Sequence, residues 1–382
     1  MGPTSEFKLD LVDGFAGGGT FLSNGETISG TPLIMLEESK SASQRLNQGR
    51  ARHLKFNCKH YFVDAEQAHT DHLRKVLTDR GYPPDDEKIV LRASRFENEV
   101  GSVIKGIQSR QQRAGRAIFL LDQTGFSKVG LRLVKRIMGE LPGAEVILTF
   151  AADALINHLS EKTAFIRAVA PLELTESQIR QMIESREYDG GRALVQRTLR
   201  THIRSVTGAD FDTPFFIRPL QSRRSLWFVH LSRHPTARDV MIQRHWENLN
   251  TFQHYGPGDF GMLGWDALRD SESLPLFNFT QADSQQLHEQ LLNSVPQKLF
   301  ALASETPISV EVMRHGFANE IAARYSDLDK VCLQLAQERE IDILRADGRL
   351  RSRSLQHLRP DDRIAFPQTL MLPGISRLRQ RR

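Results

Sequence analysis

The sequence predicts an α/β protein: a parallel sheet with helices on both faces, a helical insertion after its fifth strand, and a separate basic module towards the C-terminal end. Three observations carry that expectation. Strand-like and helix-like segments alternate through the first 150 residues, the pattern of a parallel sheet wound with crossover helices. The first strand runs straight into Asp13-Gly14-Phe15-Ala16-Gly17-Gly18-Gly19, a turn in which missing Cβ atoms let the backbone bend tightly and approach a ligand. Finally, the positive charge is local. The net charge is +5, yet residues 341–382 hold ten arginines against four acidic residues, so the other 340 residues sum to −1.

The elements follow in order. Leu9–Asp13, His60–Asp64, Lys88–Leu91, Ala117–Asp122 and Ala144–Phe150 are apolar runs of strand length, separated by helical patterns over Ala68–Thr78, Glu97–Gln111 and Lys128–Glu140. Residues 151–212 read as a helical insertion, and Thr175-Glu176-Ser177-Gln178 is a capping box opening one of its helices. Pro214–Leu220 and Ser225–Leu231 flank Gln221-Ser222-Arg223-Arg224 as a terminal hairpin, completing a first domain over residues 1–250. Residues 251–280, with Gly256, Pro257, Gly258, Gly261 and Gly264 among them, read as a linker or loop. Beyond Thr280 come a helical pattern, two short helices (Phe317–Tyr325 and Ser326–Gln337), and two strands (Ile341–Ala346 and Arg349–Arg353) around the turn dipeptide Asp347-Gly348. Three helices and a hairpin form a winged helix-turn-helix layout, so residues 281–382 are expected to be a basic winged-helix-like domain.

Composition narrows the function classes. A chain of 382 residues suits about two domains. No run reaches the length of a membrane-spanning helix and no signal-like segment opens the chain. Cys58 and Cys332 are too few for a disulfide framework or a cysteine metal knuckle, which suggests a reducing, cytoplasmic setting. Glu66, His69 and His72, and likewise His230 and His234, have spacings that a metal could use. Polar residues at helical spacing are ordinarily a solvated face, however, and no H-E-x-x-H motif is present, so no metal site is expected. The chain has no G-x-S-x-G elbow and no Walker lysine, which argues against a hydrolase or a P-loop NTPase.

The glycine turn resembles the D-x-F-x-G-x-G opening of the S-adenosylmethionine (SAM) site in class I methyltransferases. A class I methyltransferase-like (Rossmann-like) sheet consists of five parallel strands closed by a hairpin. In such sheets the ligand sits outside the carboxyl ends of the strands, where the order switches direction. Asp13, Phe15, Gly17 and Gly19 are therefore candidate cofactor residues. Asp64 ends the second strand, where a carboxylate would accept from ribose hydroxyls, with Glu66 as the second candidate. The competing role for either acid is to cap the next helix. Ser94 stands where the third strand normally offers an acid to the adenine amine. Asp122 ends the fourth strand in Leu121-Asp122-Gln123-Thr124-Gly125-Phe126, where amino-methyltransferases carry a D/N-P-P-Y-type loop. It is the candidate catalytic residue, orienting the acceptor and taking its proton late, unless it only caps the helix that follows.

Two regions are arginine-rich. Arg180, Arg186, Arg192, Arg197, Arg200 and Arg204 lie in the insertion and could guide an anionic substrate or simply decorate a solvated face. In the C-terminal module Lys330, Gln334 and Gln337 share one face of the expected recognition helix. Arg345, Arg349, Arg351 and Arg353 decorate the wing, and Arg377, Arg379, Arg381 and Arg382 form a basic tail. A helix in the groove with a phosphate-gripping wing is the docking mode such a module uses, and DNA is the favoured partner over RNA.

Four segments together resemble the three-Cys-motif partner protein family (TcmP). They are Val12–Gly19 with Gly30-Thr31-Pro32-Leu33, Tyr61-Phe62-Val63-Asp64, Phe119–Phe126, and Phe228–Pro235 leading to Met241 and Trp246. The resemblance implies a methyltransferase-like fold and a partner of the radical-SAM type bearing a cysteine motif. Members carry a helical segment before the first strand that helps close the cofactor pocket, whereas this sequence starts almost directly at the strand. The expected function is SAM-dependent methylation of nucleic acid or of a nucleic-acid-bound partner. The alternative is a non-catalytic nucleic-acid-binding adaptor for such a three-Cys-motif protein.

Overall fold

The structure, a computed structural model, describes residues 6–83, 86–112, 114–123, 128–188, 191–217, 226–248, 280–303, 306–352 and 355–367. The expected turn at 221–224, the glycine-rich loop at 255–264, the loop residues 124–127, Arg353 and the tail arginines lie outside the described residues, as does the side chain of Arg192. The chain forms two compact units. The first comprises Met1–Tyr188, Thr198–Pro214 and Arg218–His234; the second comprises Asp189–Arg197, Phe215–Ile217 and Pro235–Arg382.

The first unit opens with β1 (Glu6–Asp13), a short hairpin of β2 (Thr20–Ser23) and β3 (Glu26–Ser29), and α1 (Thr31–Asn47). Then come β4 (Lys55–Asp64), α2 (Gln67–Asp79), β5 (Ile89–Ala93), α3 (Phe96–Arg110), β6 (Ala117–Leu121), α4 (Leu131–Glu140) and β7 (Ala144–Phe150). The helical insertion holds α5 (Ala152–His158), α6 (Thr163–Val169), α7 (Glu176–Arg186) and α8 (Gly191–Thr207), and β8 (Phe211–Ile217) and β9 (Leu226–Ser232) follow. The sheet order is β5-β4-β1-β6-β7-β9-β8. β1 pairs in parallel with β4 and β6, β4 with β5, and β6 with β7, while β9 runs antiparallel to β7. This is the class I methyltransferase-like arrangement the sequence predicts.

The sheet buries an apolar core where helices cover its faces. Val12, Phe62, Val63, Phe119, Leu121, Val146, Leu148 and Phe150 are all fully buried, each contributing about 1.5–3 kcal/mol of transfer free energy. On α4 the buried residues Leu131, Val134, Ile137 and Met138 mark one helical stripe. The β2–β3 hairpin and α1 have no counterpart in the sequence reading. The hairpin strands are four residues each, and α1 buries only Pro32, Leu33 and Leu36 of its 17 residues, too few to set a period. β4 starts at Lys55 rather than His60, because edge-to-edge pairing with β1 extends from Glu6 to Asp13.

In the insertion, the Thr175–Gln178 capping box forms in both directions. Most described arginines there hold the fold. Arg186 donates to the Ile156 and Leu159 carbonyls, both at 3.3 Å. Arg200 and Arg204 bracket the buried Asp212, Arg204 at 3.0 Å. Arg180 reaches Glu161 at 3.4 Å.

The second unit contains α9 (Pro235–Glu247), α10 (Gln281–Ala303), β10 (Ile308–Ser309), α11 (Val310–Ala318), α12 (Tyr325–Gln337), β11 (Asp342–Leu344) and β12 (Arg363–Ala365). Its strands form an antiparallel sheet of order β10-β12-β11. α9, which the sequence reading places in the first domain, is bonded to the turn between α11 and α12. Buried Arg238 donates to the Ile321 and Ala323 carbonyls, Trp246 Nε1 donates to Ala322 O at 3.0 Å, and Tyr325 N donates to Asp239 Oδ1 at 2.8 Å. The Asp347-Gly348 turn forms as expected: Gly348 N donates to Arg345 O at 2.9 Å, Arg345 N donates to Arg349 O at 2.8 Å, and Gly348 has φ +85°. The return segment is a correction. Among the described residues after the turn, the Leu344–Leu350 bridge forms and Arg351 N donates to Ile343 O at 2.8 Å, but the strand that completes the sheet is β12, because Ile364 pairs with Ile343 and Ile308. No helix among the described residues is long and apolar enough to cross a membrane.

Candidate functional site

The chain steps from β1 outward to β4 and β5, then returns to β6 and β7, so the order reverses between β1 and β6. At a reversal the crossover helices diverge to opposite faces and leave a crevice at the strand ends. Here the crevice is a cavity of about 720 Å³ bordered by Gly14, Phe15 and Gly17 after β1, Asp64 and Glu66 after β4, Arg95 and Phe96 after β5, and Asp122 after β6.

The two glycines singled out have different reasons to be glycine. Gly17 has φ +60°, and a Cβ built on it meets nothing within 4 Å, so its backbone is open to an approaching ligand. Gly19 has φ +79°, and its Cβ would sit 2.6 Å from Leu73 Cδ1, so it lets α2 pack against the loop. Gly17 N donates to Asp64 Oδ2 at 2.9 Å, which joins the loop to the end of β4. Asp64 Oδ1 also accepts from Glu66 N at 2.9 Å and pairs with His69 Nδ1 at 3.0 Å. The helix-capping alternative is not what Asp64 does: the N-cap of α2 is Glu66, with no side-chain cap bond.

Asp13 lies beneath the loop, fully buried. Its Oδ1 accepts from Phe15 N at 3.0 Å and its Oδ2 has no partner among the described residues. Burial lifts its carboxyl to about 7 against the Phe15 hydrogen bond, with the Asp122 and Asp64 charges adding to the rise. Asp122 is exposed to the cavity, and its Oδ1 accepts from Thr149 Oγ1, at the end of β7, at 2.8 Å. The next residue, Gln123, is buried and clamps the loop, its Oε1 accepting from Val129 N at 2.8 Å and its Nε2 donating to Thr149 O at 3.2 Å. Asp122 does not cap the following helix, because α4 begins at Leu131 with Gly130 as its N-cap.

The cavity thus gathers Phe15, Gly17, Asp64, Glu66 and Asp122, with Asp13 and Gly19 behind its wall. Ser94 is placed differently. Its N–H donates to Asp64 O at 2.8 Å, and the cavity is bordered there by Arg95, Phe96 and Glu97 instead. Sequence reasoning missed His69, Thr149 and Gln123. His69 and His72 follow Asp64 at helical spacing, and that spacing was the available signal: His69 Nδ1 pairs with Asp64 Oδ1, and His72 Nδ1 donates to Gly18 O at 2.8 Å. Among the described residues, no group of three metal-ligating side chains comes together.

In the second unit, Lys330, Arg345 and Arg349 are exposed, and Arg349 has 82% of its side chain accessible. Two expected contact residues are already engaged. Gln334 accepts from His288 Nε2 and donates to Glu338, both at 2.8 Å. Arg351 donates to both oxygens of buried Asp362 at 2.5 and 2.7 Å. Arg359 and Arg363, which the sequence reading passed over, are exposed.

Three solved structures are similar to this chain, each at low identity and low TM-score. An rRNA methylase from Streptococcus thermophilus is 12% identical and matches over 59% of this chain and 86% of its own, with a TM-score of 0.26. The plantazolicin methyltransferase BamL, in complex with a triazolic desmethylPZN analog and SAH, is 11% identical over 59% and 77%, with a TM-score of 0.22. SMU.1697c from Streptococcus mutans, in complex with SAH, is 13% identical over 58% and 86%, with a TM-score of 0.24. No family model matches the sequence, and no curated protein matches it.

Proposed function

We propose that this chain is a class I SAM-dependent methyltransferase acting on nucleic acid or on a nucleic-acid-bound partner, and a relative of the three-Cys-motif partner proteins. The observation that carries the reading is the 2.9 Å bond joining Gly17 to Asp64 at the cavity where the sheet reverses. A glycine turn and a strand-end carboxylate meet there at one nucleoside-sized hollow. The residues fit the cofactor. Gly17 leaves its backbone open, and Asp64 would offer a carboxylate to ribose. When bound, SAM supplies a methyl group already activated on a sulfonium.

The protein's own residues then position the acceptor. Thr149 holds one oxygen of Asp122, while the other faces no donor among the described residues and can take a hydrogen bond from an acceptor amine or hydroxyl. Methyl transfer is an in-line displacement, so orienting the nucleophile is the main contribution the chain can make. The decisive measurement is calorimetry of the full chain with SAM and S-adenosylhomocysteine. Micromolar binding lost in Asp64→Ala supports the reading, and the absence of heat at high protein concentration overturns it.

The second unit is proposed to be a winged helix that brings the polyanion. The helix-strand-helix-helix-strand order, the β10-β12-β11 sheet and the exposed Lys330, Arg345 and Arg349 support this. Duplex DNA affinity that falls steeply between 50 and 200 mM salt is expected; affinity indifferent to salt would refute it. If DNA binds but SAM does not, the adaptor function for a radical-SAM-type three-Cys-motif protein becomes the better account.

A further inference from the structure

We propose that His69 gates the nucleoside site: its ring occupies the Asp64 oxygen that a ribose diol needs, so the His69–Asp64 bond and ribose binding exclude one another. The inference rests on the assignment of Asp64 to ribose. A carboxylate offers about four acceptor positions, two on each oxygen. Among the described residues, Oδ2 of Asp64 accepts only from Gly17 N, which leaves one position open. Oδ1 accepts from Glu66 N and from His69 Nδ1, which fills it. A vicinal diol gripping both oxygens must donate once to each, so one donor on Oδ1 has to leave.

The two donors differ in what holds them. The Glu66 N–H is backbone, closing a turn two residues from Asp64 and leading directly into α2. The His69 side chain is 53% exposed, against 14% for Asp64, and its ring makes no other hydrogen bond among the described residues. Rotation about its side-chain bonds releases the oxygen without moving the backbone. His72, one turn further along α2, keeps its bond to Gly18 O, so the helix stays docked on the glycine loop while the first ring swings. The ring lies on the cavity wall together with Glu66. His69 is thus a positioning residue that competes with the ligand, and it sets how strongly the site rewards a ribose over a sugar without the diol.

The test compares full-length wild type with His69→Ala. S-adenosylhomocysteine is titrated by calorimetry, and adenosine and 2′,3′-dideoxyadenosine are used as competitors. The variant is expected to bind S-adenosylhomocysteine and adenosine about fivefold more tightly, the net worth of one hydrogen bond no longer broken on binding. Its affinity for dideoxyadenosine should stay within about twofold, because that ligand has no diol to contest the oxygen. In wild type, the imidazole ¹⁵N signals of His69 should move on saturation with S-adenosylhomocysteine and not with dideoxyadenosine. Equal affinities in the two proteins, weaker binding in the variant, or the same gain for both nucleosides would each overturn the gate. Failure of both proteins to bind any adenosine ligand would remove the ribose assignment itself, and the gate with it.

Discussion

The strand ends of the sheet and the Asp347-Gly348 turn region of the second unit each present several residues of one charge, and in each the environment divides them. At the sheet, Asp13 is buried with one oxygen unpartnered, Asp64 is wrapped by three donors, and Asp122 is open to the cavity with one threonine behind it. After the Asp347-Gly348 turn, Arg349 is exposed while Arg351, two residues on, is locked onto Asp362. Residue type alone assigns the same role to every member of each set. Burial and pairing are what separate a ligand-facing charge from a structural one.

The sharpest break between these two arginines comes from removing each. Arg351→Ala leaves the 97%-buried Asp362 carboxylate uncompensated and should cost about 3–5 kcal/mol in urea denaturation of the full chain. A loss below 1 kcal/mol would show that the pair is not structural.

Among the carboxylates, Asp13→Asn separates the buried acid from its neighbours through pH. A carboxyl held near 7 when folded and about 3.9 when unfolded contributes stability that is complete below the unfolded value and lost as pH rises through the folded one. The amide has no such dependence. The variant should therefore gain on wild type by about 2–3 kcal/mol between pH 5 and pH 8. A pH-independent difference would mean Asp13 does not hold a proton in the folded chain.

A smaller effect is expected at Thr149→Val, which removes the one donor holding Asp122 among the described residues. Stability should fall by about 1–2 kcal/mol while S-adenosylhomocysteine affinity stays within about twofold. A large loss of affinity would place Thr149 on the nucleoside side of the cavity. Smallest of all is Arg349→Ala. It should leave stability within about 0.5 kcal/mol and lower the salt slope of DNA binding by about one; an unchanged slope would take Arg349 off the phosphate-contacting surface.

Much of the site was legible because its parts are local. The Asp13–Gly19 turn, the acid ending β4 and the acid ending β6 each sit at a strand end, and strand ends show in a sequence as the last residue of an apolar run. What was not legible depends on partners far along the chain. Thr149 meets Asp122 from 27 residues away, and Gly18 meets His72 across 54. Asp362 reaches Arg351 across a segment with no strand pattern at all. α9 carries few signals of its own, and its place was fixed by three carbonyls of a turn some 80 residues later.

The sequence by itself determined the alternation of strands and helices, the glycine turn, the capping box in the insertion and the concentration of arginine towards the end. All of these follow from side-chain period, backbone freedom and composition within a few residues. Only the tertiary structure decided which acid is buried, which histidine bonds the acid ending β4, and which arginines remain exposed. Those outcomes turn on desolvation and on a limited number of hydrogen-bond positions, and both are set by whatever the folded chain brings alongside.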